Sequence, residues 1–375
     1  MKSKIALLRE MGAARPYDKS RPLEIVEAEL EEPGQGELLV RMAAAGLCHS
    51  DLSVINGDRP RDMPVALGHE ASGVVEKVGP GVTRFEVGDH VVLVFVPSCG
   101  HCIPCASGRP VLCEPAAVAA GHGTLLGGAR RIRYRGQPIN HHIGVSAFST
   151  HAVVSQSSCV RIDKRIPLDQ AALLGCAVLT GVGAVLNSGE LRMGDTCAVV
   201  GLGGVGLAGL LGAVAAGARR IIAVDLARDK RDLALELGAT DAIDPSEPDA
   251  VAKVMAMTGG GVDLAVELAG AAPALKFAYE ITRRGGTTVT AGLPNPKAEI
   301  SISPVSLTVG EKVLKGSYVG SCVPVRDIPR FADMMMDGRL PIEKLMTHRL
   351  TLDELNEGFE RLAAGKAIRQ VVVFN

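Results

Sequence analysis

The sequence contains no tryptophan, only four tyrosines and only seven phenylalanines, so the cavity of any ligand site is expected to be walled by aliphatic side chains. Neither charge is in excess. Forty Lys and Arg stand against 41 Asp and Glu, which argues against nucleic acid or an anionic membrane as the main partner. On that balance the arginine-rich run at 130–135, with Tyr134 inside it, reads as a solvated loop face. No stretch reaches the roughly 18 uninterrupted apolar residues of a membrane span. The N-terminal apolar run is too short and too closely flanked by charge for a signal peptide, and it reads as a first strand. A cytoplasmic protein is expected. Its nine cysteines are then read as metal ligands or buried thiols rather than disulfides.

What the chain does have is length, glycine and clustered cysteine. At 375 residues it exceeds the usual size of one hydrophobic core, and two domains are expected. Short alternating runs separated by Pro and Gly fill the first part, as in a β-rich, partly closed domain. Near Pro167 the rhythm changes. Residues 168–187 read as helix, and after Asp195 strands alternate with helices in the order of a doubly wound parallel sheet. Strands are expected at 241–243, 262–266, 287–290 and around 312–318, and a last one at 370–374 follows helices at 327–337 and 352–364.

The organising stretch is residues 196–206, an apolar strand running into Gly201-Leu202-Gly203-Gly204-Val205-Gly206, with Asp225 closing the next apolar run. Gly201 permits the sharp exit from the strand, Gly203 lets backbone approach a pyrophosphate, and Gly206 lets helix pack on strand. The helix N-terminus beyond supplies N–H donors. Asp225 stands where a carboxylate would accept from a ribose 2′-hydroxyl and repel a 2′-phosphate, favouring NAD over NADP.

Cys99, Cys102, Cys105 and Cys113 have two, two and seven residues between them. Four thiolates this close can close a tetrahedron around a structural zinc with no open position. Iron–sulfur ligation is the competing reading, but there the fourth cysteine follows after three residues and precedes proline, whereas Cys113 precedes Glu114. His101 is surplus to the four. Cys48, His69 and Cys176 are each, by spacing alone, more often packing residues than ligands.

Together the segments 46–51, 68–70, 99–113, 175–176, 201–206 and 368–369 resemble the zinc-dependent alcohol dehydrogenases of the medium-chain dehydrogenase/reductase superfamily. The similarity covers essentially the whole chain, and 135–148 resembles the long-loop, liver-type branch. The resemblance implies an α/β protein: a GroES-like β-rich catalytic domain (1–177), a Rossmann coenzyme domain with a doubly wound parallel sheet (178–319), and a return to the catalytic domain (320–375). It implies NAD and two zinc ions per chain, one catalytic and one structural. Cys48, His69 and Cys176 match the three ligands of the catalytic zinc. Asp51 and Glu70 match the carboxylates behind it, and Ser50 the hydroxyl that takes the substrate proton. His49 and Arg369 match pyrophosphate contacts, Asp225 and Lys230 the ribose pair, and Thr180, Val205 and Leu293 further cofactor contacts beside Gly204. Phe95, His142 and Ile143 match residues lining the substrate channel.

Two departures bear on substrate and mechanism. Ser53 stands where liver-type members carry a proton-relaying histidine, so the proton leaves through Ser53, water or another group. Arg59 and Arg61 replace the acidic residues with which glutathione-dependent formaldehyde dehydrogenases of the family hold their substrate's amino group. The expected reaction interconverts alcohols with aldehydes or ketones. The alternatives are a thiol-adduct (formaldehyde-type) dehydrogenase and a non-catalytic nucleotide-binding relative. A homodimer paired near 301–318 is expected, with a tetramer the other possibility.

Overall fold

The computed structural model describes residues 1–374 as two compact units. The first comprises Met1–Cys176, Val323–Met336 and the chain from Glu343 onward; the second comprises Ala177–Cys322 and Asp337–Ile342.

In the first unit a closed barrel of short strands adjoins a seven-stranded sheet. Strand Glu37–Gly46 is the hub of that sheet: it pairs antiparallel with Glu70–Val78, His151–Ser155 and Arg369–Val373. Covered on both faces, it reads as a nearly continuous apolar run with Leu38, Val40 and Met42 in the core around Phe148 and Phe359. Its register has a chemical consequence. Gly46, the last residue of the strand, lies opposite Glu70, the first residue of its neighbour. The residues just beyond those two ends, Cys48 and His69, are thereby delivered to the same end of the sheet.

The second unit is a six-stranded parallel sheet with helices between its strands. The spatial order is Asp241–Ile243, Arg220–Val224, Thr196–Val200, Val262–Glu267, Thr282–Thr290, Val313–Gly316. Numbered along the chain this is 3-2-1-4-5-6, and the order reverses beside Thr196–Val200, where a doubly wound sheet leaves a crevice for a nucleotide. The expected α/β class with a parallel sheet is therefore present.

The helix read across 168–187 is not continuous. A turn of α-helix, Leu168–Ala171, passes into 3-10 helix at Ala172–Gly175, Cys176 leaves helical geometry (φ −141°, ψ −69°), and helix resumes at Ala177–Gly183 before ending in a π turn, Ala184–Ser188. Among the described residues no single helix is long and apolar enough to cross a membrane.

Candidate functional site

The donors of Cys48, His69 and Cys176 lie within 4.8 Å of one another, all buried. Cys48 is the N-cap of helix His49–Ile55, so residues 49–51 form the first turn of a helix. His69 follows Gly68, whose left-handed φ of +95° lets the chain turn into the strand. A Cβ there would meet the Phe148 backbone nitrogen at 2.3 Å, so only glycine fits. Cys176 is presented by the helix break. Gly175 before it sits so close to strand His90–Leu93 that a Cβ would lie 2.3 Å from the Leu93 carbonyl oxygen.

Asp51, on that first helical turn, is completely buried. Its Oδ1 accepts from the Gly68 amide (3.0 Å), and its Oδ2 lies 3.0 Å from His69 Nδ1. Burial opposes charge on His69, but Asp51 and Cys48 together outweigh it and hold the imidazole well above its ordinary value. The pair of thiols behaves as one unit: a shared hydrogen bond lowers Cys48 well below the usual thiol range and raises Cys176. His69 Nε2 is buried with no hydrogen-bond partner. Two thiols and an imidazole converging in a buried space fit a zinc ion with three protein ligands and one open position.

Behind this cluster Arg369 clamps Glu70, with Nη2 2.7 Å from both carboxylate oxygens, and donates to the Leu47 carbonyl at 3.3 Å. Burial works against the Arg369 charge, and Glu70 together with the Cys48 and Cys176 thiols more than restores it. Gly46 makes room for the acid: a Cβ there would approach Glu70 Cδ to 2.9 Å. Phe95 and His142 both stack edge-on against His69, with ring centroids at 5.1 and 5.6 Å. His142 is buried, and its Nε2 lies 3.4 Å from Asp51 Oδ1, a neighbour that spacing could not have foreseen. Ile143 beside it takes φ +41°, strained for a β-branched residue. His49 is exposed and Ser50 half-buried on the same helical turn. Ser53 donates its hydroxyl to the His49 carbonyl at 2.8 Å, so the group standing in the relay position is already engaged.

The sulfurs of Cys99, Cys102, Cys105 and Cys113 also converge within 4.8 Å. Backbone amides point at them: Cys99 N donates to Cys113 Sγ and Cys102 N to Cys99 Sγ, both at 3.3 Å. Amides from His101 and Cys102 bring the Cys99 thiol down to about 6, whereas burial pushes Cys105 up to about 12. The cluster thus fits a closed four-sulfur metal site, and His101 turns its ring nitrogen to the Cys99 carbonyl instead.

In the second unit Gly201 takes φ +93°, and a Cβ on Gly206 would lie 1.7 Å from the Gly201 carbonyl oxygen. At Gly203 a Cβ would meet nothing within 4 Å, so the turn is open where a phosphate would approach. Gly203 also caps helix Gly204–Ala215 with no side-chain hydrogen bond, leaving the first-turn amides for a ligand. Asp225 is oriented by backbone, accepting from Leu202 N (2.7 Å) and Ala227 N (2.9 Å). Thr180, Val205 and Lys230 are half-buried, and Leu293 is exposed in the loop near Gly270.

Known proteins match this arrangement. The alcohol dehydrogenase GroES-like domain family matches residues 34–164, and the zinc-binding dehydrogenase family matches residues 204–337. An NDMA-dependent alcohol dehydrogenase of Amycolatopsis methanolica is 41% identical over 377 residues, covering 100% of this chain and 99% of the relative. An S-(hydroxymethyl)glutathione dehydrogenase of Synechocystis sp. is 38% identical over 99% of this chain and 100% of that one. Among solved structures, the benzyl alcohol dehydrogenase of Acinetobacter calcoaceticus superposes with a TM-score of 0.93 at 30% identity, covering both chains completely.

Proposed function

Because this chain belongs to the zinc-binding alcohol dehydrogenase family and is an oxidoreductase of that class, we propose that it interconverts alcohols and carbonyl compounds with NAD and holds two zinc ions. The observation that carries the reading is the convergence of Cys48, His69 and Cys176 around the unpartnered His69 Nε2. Those three residues would hold the catalytic zinc, and Cys99, Cys102, Cys105 and Cys113 the structural one. A zinc ion with an open position supplies Lewis acidity, lowering the pKa of an alcohol and polarising a carbonyl.

The chain's own residues do the rest. Asp51, 3.0 Å from His69 Nδ1, orients the ring, and once Nε2 gives up its proton to the metal that nitrogen would be the ligand while Nδ1 keeps its hydrogen toward Asp51. Arg369 neutralises Glu70 in the dry space behind the cluster. Ser50, half-buried on the helix that begins at Cys48, accepts the substrate's hydroxyl proton. Ser53 could hand that proton on only by giving up its bond to the His49 carbonyl, so release goes from Ser50 to water. Gly203 and the amides of helix Gly204–Ala215 receive the pyrophosphate, and Asp225 the adenosine ribose. We assign the protein to a homodimer, since strand Val313–Gly316 is a sheet edge and Val305, Val309 and Val313 are exposed.

The test is a screen of primary, secondary and aromatic alcohols with NAD and NADP, followed as NADH or NADPH formation, beside metal analysis. NAD-linked turnover and two zinc ions per chain are expected; fewer than two in fresh protein, or no turnover, would sink the reading. Replacing Asp225 by Gly should move the kcat/KM preference toward NADP, and an unchanged cofactor ratio would remove Asp225 from the ribose site. A second reading, dehydrogenation of a thiol adduct, is favoured by the name of the Synechocystis relative. Rates of formaldehyde oxidation with and without glutathione or another thiol separate the two.

A further inference from the structure

Three histidines are buried among the described residues, and their rings are used differently. His141 has both nitrogens engaged, Nε2 by the Arg131 amide at 3.1 Å and Nδ1 beside Ser146 Oγ at 3.3 Å. His69 and His142 have neither engaged: all four of their ring nitrogens are buried without a hydrogen-bond partner. Both rings lie against one carboxylate. Asp51 Oδ2 is 3.0 Å from His69 Nδ1, Asp51 Oδ1 is 3.4 Å from His142 Nε2, and Oδ2 too is buried without a hydrogen-bond partner. The zinc proposed above accounts for one of these atoms, His69 Nε2, and leaves the others.

The three side chains come from segments of the first unit that the backbone ties together. Asp51 Oδ1 accepts from the Gly68 amide, next to His69, at 3.0 Å. The His142 amide donates to the Ala66 carbonyl at 3.2 Å, and farther along the same segment the Ala147 and Phe148 amides donate to the Gly68 and Leu67 carbonyls at 2.9 and 3.0 Å. One donor atom from each of Asp51, His69 and His142 lies within 4.8 Å of the other two. Nitrogen and oxygen ligands around a tetrahedral zinc stand about 3.3 Å from one another, and the 3.0 and 3.4 Å separations bracket that value. Two imidazoles and a carboxylate, with no thiolate, suit a borderline divalent ion such as zinc or cobalt. An ion there would satisfy polar atoms whose burial is otherwise unfavourable.

We propose that Asp51, His69 and His142 form a second divalent-metal site beside the cysteine-bound one, sharing the His69 ring with the catalytic zinc. The ion takes the place of the hydrogen on His69 Nδ1, which leaves to solvent as a proton. The proposal rests on the zinc reading above only for the sharing of that ring.

The test adds Co2+ to zinc-loaded protein, wild type and His142→Phe, with uptake followed by visible absorption and metal analysis. Wild type is expected to take up cobalt beyond its zinc, with ligand-field bands and no sulfur-to-cobalt charge-transfer band. His142→Phe should bind that cobalt roughly 10- to 100-fold more weakly while keeping its zinc. His142→Gln loses the imidazole but stays polar, so it should weaken binding likewise and carries the test should His142→Phe not fold. Anomalous scattering from cobalt-soaked crystals should place the ion against Asp51, His69 and His142. No uptake by wild type overturns the proposal. So does equal uptake by wild type and variants, which would give the cobalt to surface groups, or a charge-transfer band, which would mean exchange into the cysteine sites. If the protein holds no zinc at Cys48, His69 and Cys176 and oxidises no alcohol, the proposed function fails; cobalt uptake that depends on His142 then still supports this site.

Discussion

The carboxylate of Asp51 is shut off from solvent, with the Gly68 amide and His142 Nε2 against one oxygen and His69 Nδ1 against the other. A buried carboxylate so surrounded is retained only by its neighbours, and it fixes the tautomer of the ring that must bind metal. Replacing it by asparagine keeps the shape and removes the charge. Asp51→Asn should therefore lose zinc from the Cys48, His69 and Cys176 site about 10- to 100-fold faster to a chelator, with the Cys99–Cys113 site unaffected. Cobalt-substituted protein gives a second readout, because the visible spectrum reports the ligand field directly. Equal metal retention at both sites would show that Asp51 does not tune His69. Single residues of this kind were partly legible: Cys48, His69 and Cys176 stand out as soft ligands, yet only their order along the chain, matched to a family, joins them. The contact of His142 with Asp51 was not legible, since residues 51 and 142 meet only through folding.

At the scale of the element, the glycine turn after strand Thr196–Val200 separates two jobs that one motif combines. A Cβ at Gly206 would sit 1.7 Å from the Gly201 carbonyl, so the helix must move off the strand. A Cβ at Gly203 meets no protein atom within 4 Å and would project only into the space a pyrophosphate needs. Gly206→Ala should lower the melting temperature by several degrees as well as weaken NADH binding. Gly203→Ala should melt like wild type yet bind NADH at least about tenfold more weakly, measured by fluorescence titration. Wild-type affinity in Gly203→Ala would dismiss the close approach. Elements with such punctuation could be read from sequence, as the strands at 241–243 and 262–266 were. The break at Cys176 could not. Residues 171–179 are buried throughout, so no polar face marks where the helical period fails. Likewise the first turn of helix His49–Ile55 follows an N-cap cysteine that makes no side-chain cap, which leaves no start signal in the sequence.

For the whole molecule the two-part plan was legible because composition changes along the chain, from Pro- and Gly-punctuated strands to alternating strands and helices. The register that sets Gly46 opposite Glu70, and so gathers the site, depends on packing over both faces of one sheet and leaves no local trace. That same dryness makes the first unit sensitive to acid. His141 ends strand Gln137–His141, is fully buried, accepts from the Arg131 amide at Nε2 (3.1 Å) and lies 3.3 Å from Ser146 Oγ at Nδ1. Burial, with the Arg130 and Arg131 charges, lowers it to about 3. An unfolded chain would protonate this ring near pH 6.5. Between those two values the unfolded state binds the extra proton, so this contribution to stability is intact above about pH 6.5 and is lost as pH falls toward 3. At pH 4 the loss from His141 alone is on the order of 3 kcal/mol. Glutamine at 141 can still meet a hydrogen-bonding neighbour but does not titrate. Urea unfolding of wild type and His141→Gln at pH 7.5 and 4.5 should therefore show the wild type losing more stability on acidification than the variant. Parallel losses would mean that the imidazole is hydrated and free to charge in the folded protein.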